Sequence, residues 1–588
     1  MKPVTSSPSR PTDFTPAPRP SAAASSARSS RLADLLGCLR IRRPPAPPTT
    51  FGDLPQEVLA TIAQKLTLRP QADVADLVRA AAVNKALRSA VTSDPQTCKR
   101  LGMAPIEQGA RCLIEALLSE SPEPHGASLC LQVLNRLDAQ QQVRLVRILT
   151  VPERRGRPTW TTHPFRALST HLPGLVRPAQ EELVRAALHH QAEEAAAQAI
   201  GGLGSGLAHL DAGSIDTLLD KAARLSDDTA RSAALGGLCA GFGAMDSGQR
   251  LHLWQHVMAL PARQGRALQG LGAQLKHLDA TQRSQVFERT MQLPASFERA
   301  MALSGLAASM EVLEAMQKEA LFTQGLSLPD GFTGERQTMV CAFAASVEHL
   351  TEGQRSQVVA EIRGLGRTSR EDRGAALTAL GPHFGRLAHD QQGQLLEAAA
   401  DWPQHARTGA VTGLANALPH MAPAHRRVVA ELALGLDLGS CAARAIGALG
   451  AHLNRLDHGL RDAIVNRALQ LLGGLDSDEP MPPDDVQALA AGLGAGMEAL
   501  RPEQRSAVVT TALGKRSRWH YPKLPHLAAA IGGLAAGQQH MSNADRAALV
   551  QAASQLQTDL RAAVSARELS SWQCKQALAT ALFGLVKA

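Results

Sequence analysis

Five histidines stand one residue ahead of a leucine or methionine that closes an apolar run: His209, His277, His349, His420 and His540. Imidazole is the commonest metal ligand, so a regular row of histidines raises a metal reading. Neighbouring helical repeats would set successive copies roughly 10 Å apart, whereas zinc needs its ligands within about 2.1 Å. The better reading is a donor or cation at a helix C-terminus, where it suits the dipole. Arginine recurs five residues after the same closing position, at Arg250, Arg283, Arg355, Arg426, Arg461, Arg505 and Arg546. A row of guanidiniums can grip an acidic partner, or it can bond carboxylates and carbonyls between repeats. Recurrence in unit after unit favours the second role. No G-x-S-x-G, P-loop, H-E-x-x-H or kinase signature is present. Nor do the eight cysteines form a C-x-x-C pair. The chain is therefore expected to be a non-enzyme, with no catalytic residue, no cofactor and no metal site.

The elements that carry these rows repeat. The closing apolar residues fall at Leu137, Val176, Leu210, Met245, Leu278, Leu313, Leu350, Leu387, Met421, Leu456, Leu500 and Met541, at intervals of 33 to 44 residues. One unit shows the logic. Leu268, Leu271, Leu275 and Leu278 share a face of a first helix, Arg266–Leu278. Asp279 and Gln282 form a capping box, and a second helix carries Val286, Phe287 and Met291 until Pro294 stops it. The same box recurs as Asp138 with Gln141, Asp246 with Gln249, and Thr351 with Gln354. Glycine inside the first helix (Gly202, Gly237, Gly270, Gly413, Gly447) costs about 1 kcal/mol each against alanine, so close helix–helix approach is expected to compensate. Helix pairs of this size must stack to bury their apolar faces. The pattern resembles HEAT/armadillo repeats, which implies an all-α fold. It would be a right-handed α-solenoid of about twelve helix-pair repeats over residues 99–588, with Ser570–Ala588 as a closing helix or partial repeat.

Ahead of the array, residues 51–98 read as three short helices. Asp53, Pro55 and Gln56 make a helix start. Val58, Leu59, Ile62 and Leu66 then share one face, and Val74, Leu77 and Val78 follow after Pro70. The run Leu54-Pro55-x-Glu57-Val58-Leu59-x-x-Ile62-x-x-x-Leu66, with Val83-Asn84-Lys85-x-Leu87-Arg88, resembles the F-box; Leu87 stands where that pattern usually has Trp. The resemblance implies docking on a Skp-family adaptor through Leu54, Pro55, Val58, Leu59, Ile62, Leu66, Val83 and Leu87. It would recruit a protein held by the array to a cullin-RING ubiquitin ligase. The alternative is an amphipathic cap on a scaffold or decoy that sequesters a protein without ubiquitination.

Residues 1–50 hold ten Pro, eight Ser, eight Lys or Arg and two Asp. Such a composition cannot bury a core and is expected to be disordered. A Ser/Pro-rich, acid-poor leader ahead of a eukaryotic-looking module resembles type III secreted effectors of Gram-negative pathogens. That resemblance implies delivery into a host cell, with a secretion chaperone as a further partner of the tail. An ordinary linker or an organellar transit peptide would share this composition. The leader carries +6 of the +8 net charge, which leaves +2 for the other 538 residues. A near-neutral body with 3% aromatic residues is poorly suited to nucleic acid. No apolar run is long enough to span a membrane.

Overall fold

Alanine, leucine and glycine at three- and four-residue spacing build helices here, and among the described residues no strand forms. The computed structural model describes residues 95–118, 124–150, 164–261, 263–329, 334–365, 372–474, 481–514, 523–565 and 569–587. The chain divides into two compact units, Met1–Cys98 and Lys99–Ala588. The leader and the F-box-like stretch up to residue 94 lie outside the described residues.

The first helices are α1 (Pro95–Leu117), α2 (Pro124–Leu129), α3 (Ala139–Thr150), α4 (Pro164–His171), α5 (Arg177–Leu188) and α6 (Glu193–Gly202). Next come α7 (Ala212–Ala223), α8 (Asp228–Leu238), α9 (Ser247–Met258), α10 (Gly265–Gly272), α11 (Ala280–Met291) and α12 (Phe297–Ala307). They continue as α13 (Ala315–Leu326), α14 (Glu335–Ala345), α15 (Glu352–Gly364), α16 (Asp372–Leu380), α17 (His389–Ala400), α18 (Gln404–Ala415) and α19 (Pro423–Leu434). The last are α20 (Gly439–Gly450), α21 (His458–Gly473), α22 (Pro483–Ala495), α23 (Pro502–Leu513), α24 (Leu524–Leu534), α25 (Asn543–Ser565) and α26 (Ser571–Lys587). Even-numbered helices stack on even, and odd on odd, as a solenoid of helix pairs requires.

Each even helix from α2 to α24 runs into a 3₁₀ turn and then an extended residue, which the N-cap of the next odd helix follows. That residue is the closing leucine or methionine of the sequence, with ψ between 135° and 154°. Its N–H bonds the carbonyl three residues back, as Leu278 does to Leu275. Two expectations are corrected by this geometry. The segment Arg266–Leu278 is not one helix: α10 ends at Gly272, and Leu275–His277 form the 3₁₀ turn. The tighter turn satisfies terminal carbonyls while reversing the chain. In the second unit the closing residue is Leu175, not Val176; Leu175 takes the extended conformation and is buried, and Val176 caps α5. All four expected capping boxes form. The turn from even to odd helix thus keeps one form, although its 3₁₀ segment varies from three to seven residues, and repeat length also drifts between odd and even helices. Met291 to Phe297 is a longer connection and Ala400 to Gln404 a shorter one.

The glycines lie where even helices touch. A Cβ at Gly374 of α16 would sit 3.1 Å from Gly409 Cα of α18, and one at Gly409 would sit 3.0 Å from Gly374 Cα. At Gly237 of α8 an added Cβ would run into the backbone of Gly201 in α6, and at Gly492 of α22 into Gly447 of α20. Backbones therefore meet almost directly, and the lost helix propensity is offset by contact.

Within the second unit the array closes on itself. Helix α26 packs on α24 and α25, and also on α2 and the turn Cys130–Arg136. A Cβ at Gly109 of α1 would lie 3.2 Å from Leu582 Cδ1 of α26 and 3.1 Å from Gln557 Oε1 of α25. The expected partial repeat is thus the even half of a unit whose odd half is α1.

Two alanine substitutions separate packing from propensity. Gly237→Ala should lower the unfolding midpoint, at a cost of about 1–3 kcal/mol from overpacking. Gly393→Ala in α17, where nothing lies within 4 Å, should raise it by up to about 1 kcal/mol. Urea titration followed by circular dichroism measures both, and a stabilised Gly237→Ala would contradict the packing.

Candidate functional site

The recurring arginines bind the stack to itself. Arg355 Nε donates to Val347 O (3.1 Å) in its own 3₁₀ turn, and Nη1 reaches Arg386 O (3.0 Å) in the next. Arg426 pairs Met421 O (2.9 Å) with Arg455 O (3.1 Å). Arg461 joins Leu453 O and Leu456 O to Ala499 O (3.1 Å), and Arg505 joins Leu500 O to His540 O (2.9 Å). In every case the far acceptor is the residue just before the next closing leucine or methionine. Five donors on a rigid fork can serve two turns at once. The remaining arginines of the row do not all follow: Arg250 bonds Asp246 O (3.4 Å) and Arg546 bonds Asn543 within its own helix.

Where arginine is absent, glutamine does the same work, which the sequence reading missed. Gln142 Nε2 donates to Leu134 O and Leu137 O, and its Oε1 accepts Val176 N–H (2.8 Å) of the following unit. Gln392 bonds Phe384 O and Leu387 O, while its Oε1 meets His425 Nδ1 at 2.8 Å. Gln180 repeats the first half. A second glutamine row reaches backwards. In the capping boxes Gln249, Gln354, Gln391 and Gln504 accept from their own N-cap. Their Nε2 groups donate to Asp216 (2.8 Å), Glu319 (2.8 Å), Ser356 (2.9 Å) and Asp462 (2.7 Å) of the preceding odd helix. Glutamate, acceptor only, could not make both bonds. The available signal was glutamine rather than glutamate in each box.

The histidine row sits at the ends of the 3₁₀ turns. His349 Nε2 lies 3.7 Å from both Glu311 and Glu348, and His383 Nδ1 lies 3.8 Å from Glu348. Among the described residues no group of three or more His, Cys, Asp or Glu is arranged to hold a metal ion. The expected adaptor-binding residues Leu54, Pro55, Val58, Leu59, Ile62, Leu66, Val83 and Leu87 all lie outside the described residues. Two grooves open on the described surface. One, of about 520 Å³, is lined by Val509, Leu513, Leu527 and Ala552 with Asp545 and Asp559. The other, of about 600 Å³, is lined by Phe322 and Leu326 with Glu319 and Glu361, whose carboxylates are held by Gln354 and Arg336.

Burial leaves a second mark on the histidines. It pushes His171, His190, His256, His277, His425, His452 and His526 below the ordinary imidazole range, with nearby cations adding to the effect at His171, His277 and His452.

Arg461→Ala should lower the urea midpoint, at about 1–3 kcal/mol for carbonyls left without a donor. Arg461→Gln should recover part of that loss, because glutamine serves this position at Gln142 and Gln392; equal loss in both variants would contradict the shared role. The depressed histidines predict a pH dependence. The unfolded chain takes up these protons near pH 6.5 and the folded one only lower, so stability is full above that value and falls as pH drops below it. Thermal midpoints at pH 7.5 and pH 5.5 measure this, and a higher midpoint at pH 5.5 would contradict it.

No protein-family model matches the sequence, and no curated protein sequence matches it. Among solved structures the chain is similar to yeast importin-β, Kap95p, at 13% identity, over 91% of this chain and 68% of that one, with a TM-score of 0.41. It is similar also to Kap95p bound to RanGDP, at 13% identity over 91% and 67% with a TM-score of 0.41. A third likeness is to the karyopherin Kap121p bound to the SUMO protease Ulp1p, at 13% identity over 90% and 53% with a TM-score of 0.31. The chain spans about two thirds of the length of Kap95p and about half that of Kap121p.

Proposed function

We propose that this chain is a non-catalytic, protein-binding solenoid that couples a captured protein to a Skp-family adaptor. The observation that carries the binding role is how the recurring polar residues are used. Arg355, Arg426, Arg461, Arg505 and the glutamines are committed to joining repeats. What the surface offers therefore differs from unit to unit: Met316 is 84% exposed, and Leu251, Phe297 and Leu438 are exposed elsewhere. A rigid stack with a varied surface suits recognition of a protein.

The adaptor role rests on the F-box resemblance of Leu54 to Leu87. Helix α26 already covers α2 at the start of the array, so the first repeat does not need residues 51–91 as a lid. In this reading the array holds a host protein, the module holds the adaptor, and a cullin-RING ligase supplies the ubiquitin chemistry. Residues 1–50 would carry the chain through a type III system.

The test is capture of purified Skp-family adaptors by the full-length protein, wild type against Leu54→Ala/Pro55→Ala. Binding lost in the double variant, with its thermal midpoint unchanged, is the expected result. Absence of binding by a folded wild type would leave the scaffold or decoy reading.

A further inference from the structure

Every joint between successive even helices from α2 to α26 is crossed by the chain itself; the joint between α26 and α2 is not. It is held by non-covalent contact alone, and that contact differs in kind on the two sides of α26. Towards α24, backbones interlock: a Cβ at Gly584 would lie 2.8 Å from Gly532 Cα and O. Towards α1, at Gly109, the neighbours are side-chain atoms, Leu582 Cδ1 of α26 and Gln557 Oε1 of α25. A polar tie crosses it from Arg136 Nη2 to Val586 O at 3.3 Å. The arginine clasp of the turns from Arg355 to Arg505 is not repeated by Arg546, which bonds Asn543 in its own helix. Helix α2 is also short, with six residues against eleven in α24.

We propose that the array opens at this seam: α1 and α2 part from α25 and α26 as one step, while α26 stays on α24 and the interior repeats stay stacked. In a closed circuit each joint opposes the next, so one joint must release before the array can change its curvature. The joint that no covalent connection crosses releases first. Local opening of this kind draws on the least stable contacts of a fold. Burial argues that the closed form predominates, since Ile106, Ala110 and Leu113 of α1 and Leu582, Phe583 and Leu585 of α26 are at most 5% exposed. A protein partner with different affinities for the two forms would shift their populations. This inference does not depend on the adaptor reading.

Single-molecule energy transfer on the full-length protein tests it. One dye pair at Arg111 and Gln576, introduced through non-canonical residues, spans the seam. A control pair at Gln198 and Arg266 spans interior joints. The seam pair should show a minor low-transfer population that Leu582→Ala raises at least about tenfold, as loss of a buried leucine side chain implies, while the control pair keeps one population. Arg136→Ala should raise it to a smaller degree and serves if Leu582→Ala unfolds, which a shift of both pairs would reveal. A single seam population in the wild type and in Arg136→Ala, or seam and control pairs moving together in both variants, would overturn the proposal.

Discussion

The stack depends on how closely its even helices approach. Glycine in α6, α8, α16, α18, α20 and α22 lets one helix backbone rest on the next. No side chain could be inserted at Gly237 or Gly492 without separating the layer. Buried alanine and leucine fill the remaining volume: Leu235, Leu268, Leu303, Leu377, Leu414 and Leu493 are all fully buried. Dispersion contacts fall off within an ångström, so a layer built this tightly tolerates little expansion. The odd helices, which carry the longer polar side chains, form the second layer.

Close approach fixes distance but not register. Register comes from the extended leucine or methionine that follows every 3₁₀ turn, and from the clasps around it. At Arg355, Arg426, Arg461, Arg505 and Gln142, the residue five positions later holds carbonyls of its own turn and bridges to the next unit. Glutamine in the capping box ties α9, α15, α17 and α23 each to the odd helix before it. These are hydrogen bonds to groups that helix ends would otherwise leave unsatisfied. Their value lies chiefly in the penalty for leaving such groups unpaired. The same residue types serve the stack in several units.

Closure changes what the ends of such an array require. A solenoid with free ends needs polar caps. Here α1 and α26, from opposite ends of the second unit, complete one repeat together and cover each other's apolar faces. The joint they form is the softest on physical grounds, because the covalent chain reinforces every other one.

By itself, the sequence determined the helix pairs, their number and their period, because capping boxes, proline stops and three- and four-residue apolar spacing are local properties. It also determined that helical glycines must be offset by contact, and the Gly237 and Gly447 neighbourhoods bear this out. Three features needed the tertiary structure. The break of Arg266–Leu278 into helix and 3₁₀ turn depends on where the next helix must start, which apolar periodicity does not reveal. The choice of Leu175 over Val176 depends on which of two adjacent apolar side chains meets the neighbouring unit. The distant partners of Arg355 and Gln142, a carbonyl and a backbone N–H, lie more than thirty residues away, and closure through Gly109 and Leu582 joins positions separated by nearly the whole array. Local sequence carries no record of such distant pairings; only the stacked backbone, by setting the angle from one repeat to the next, decides them.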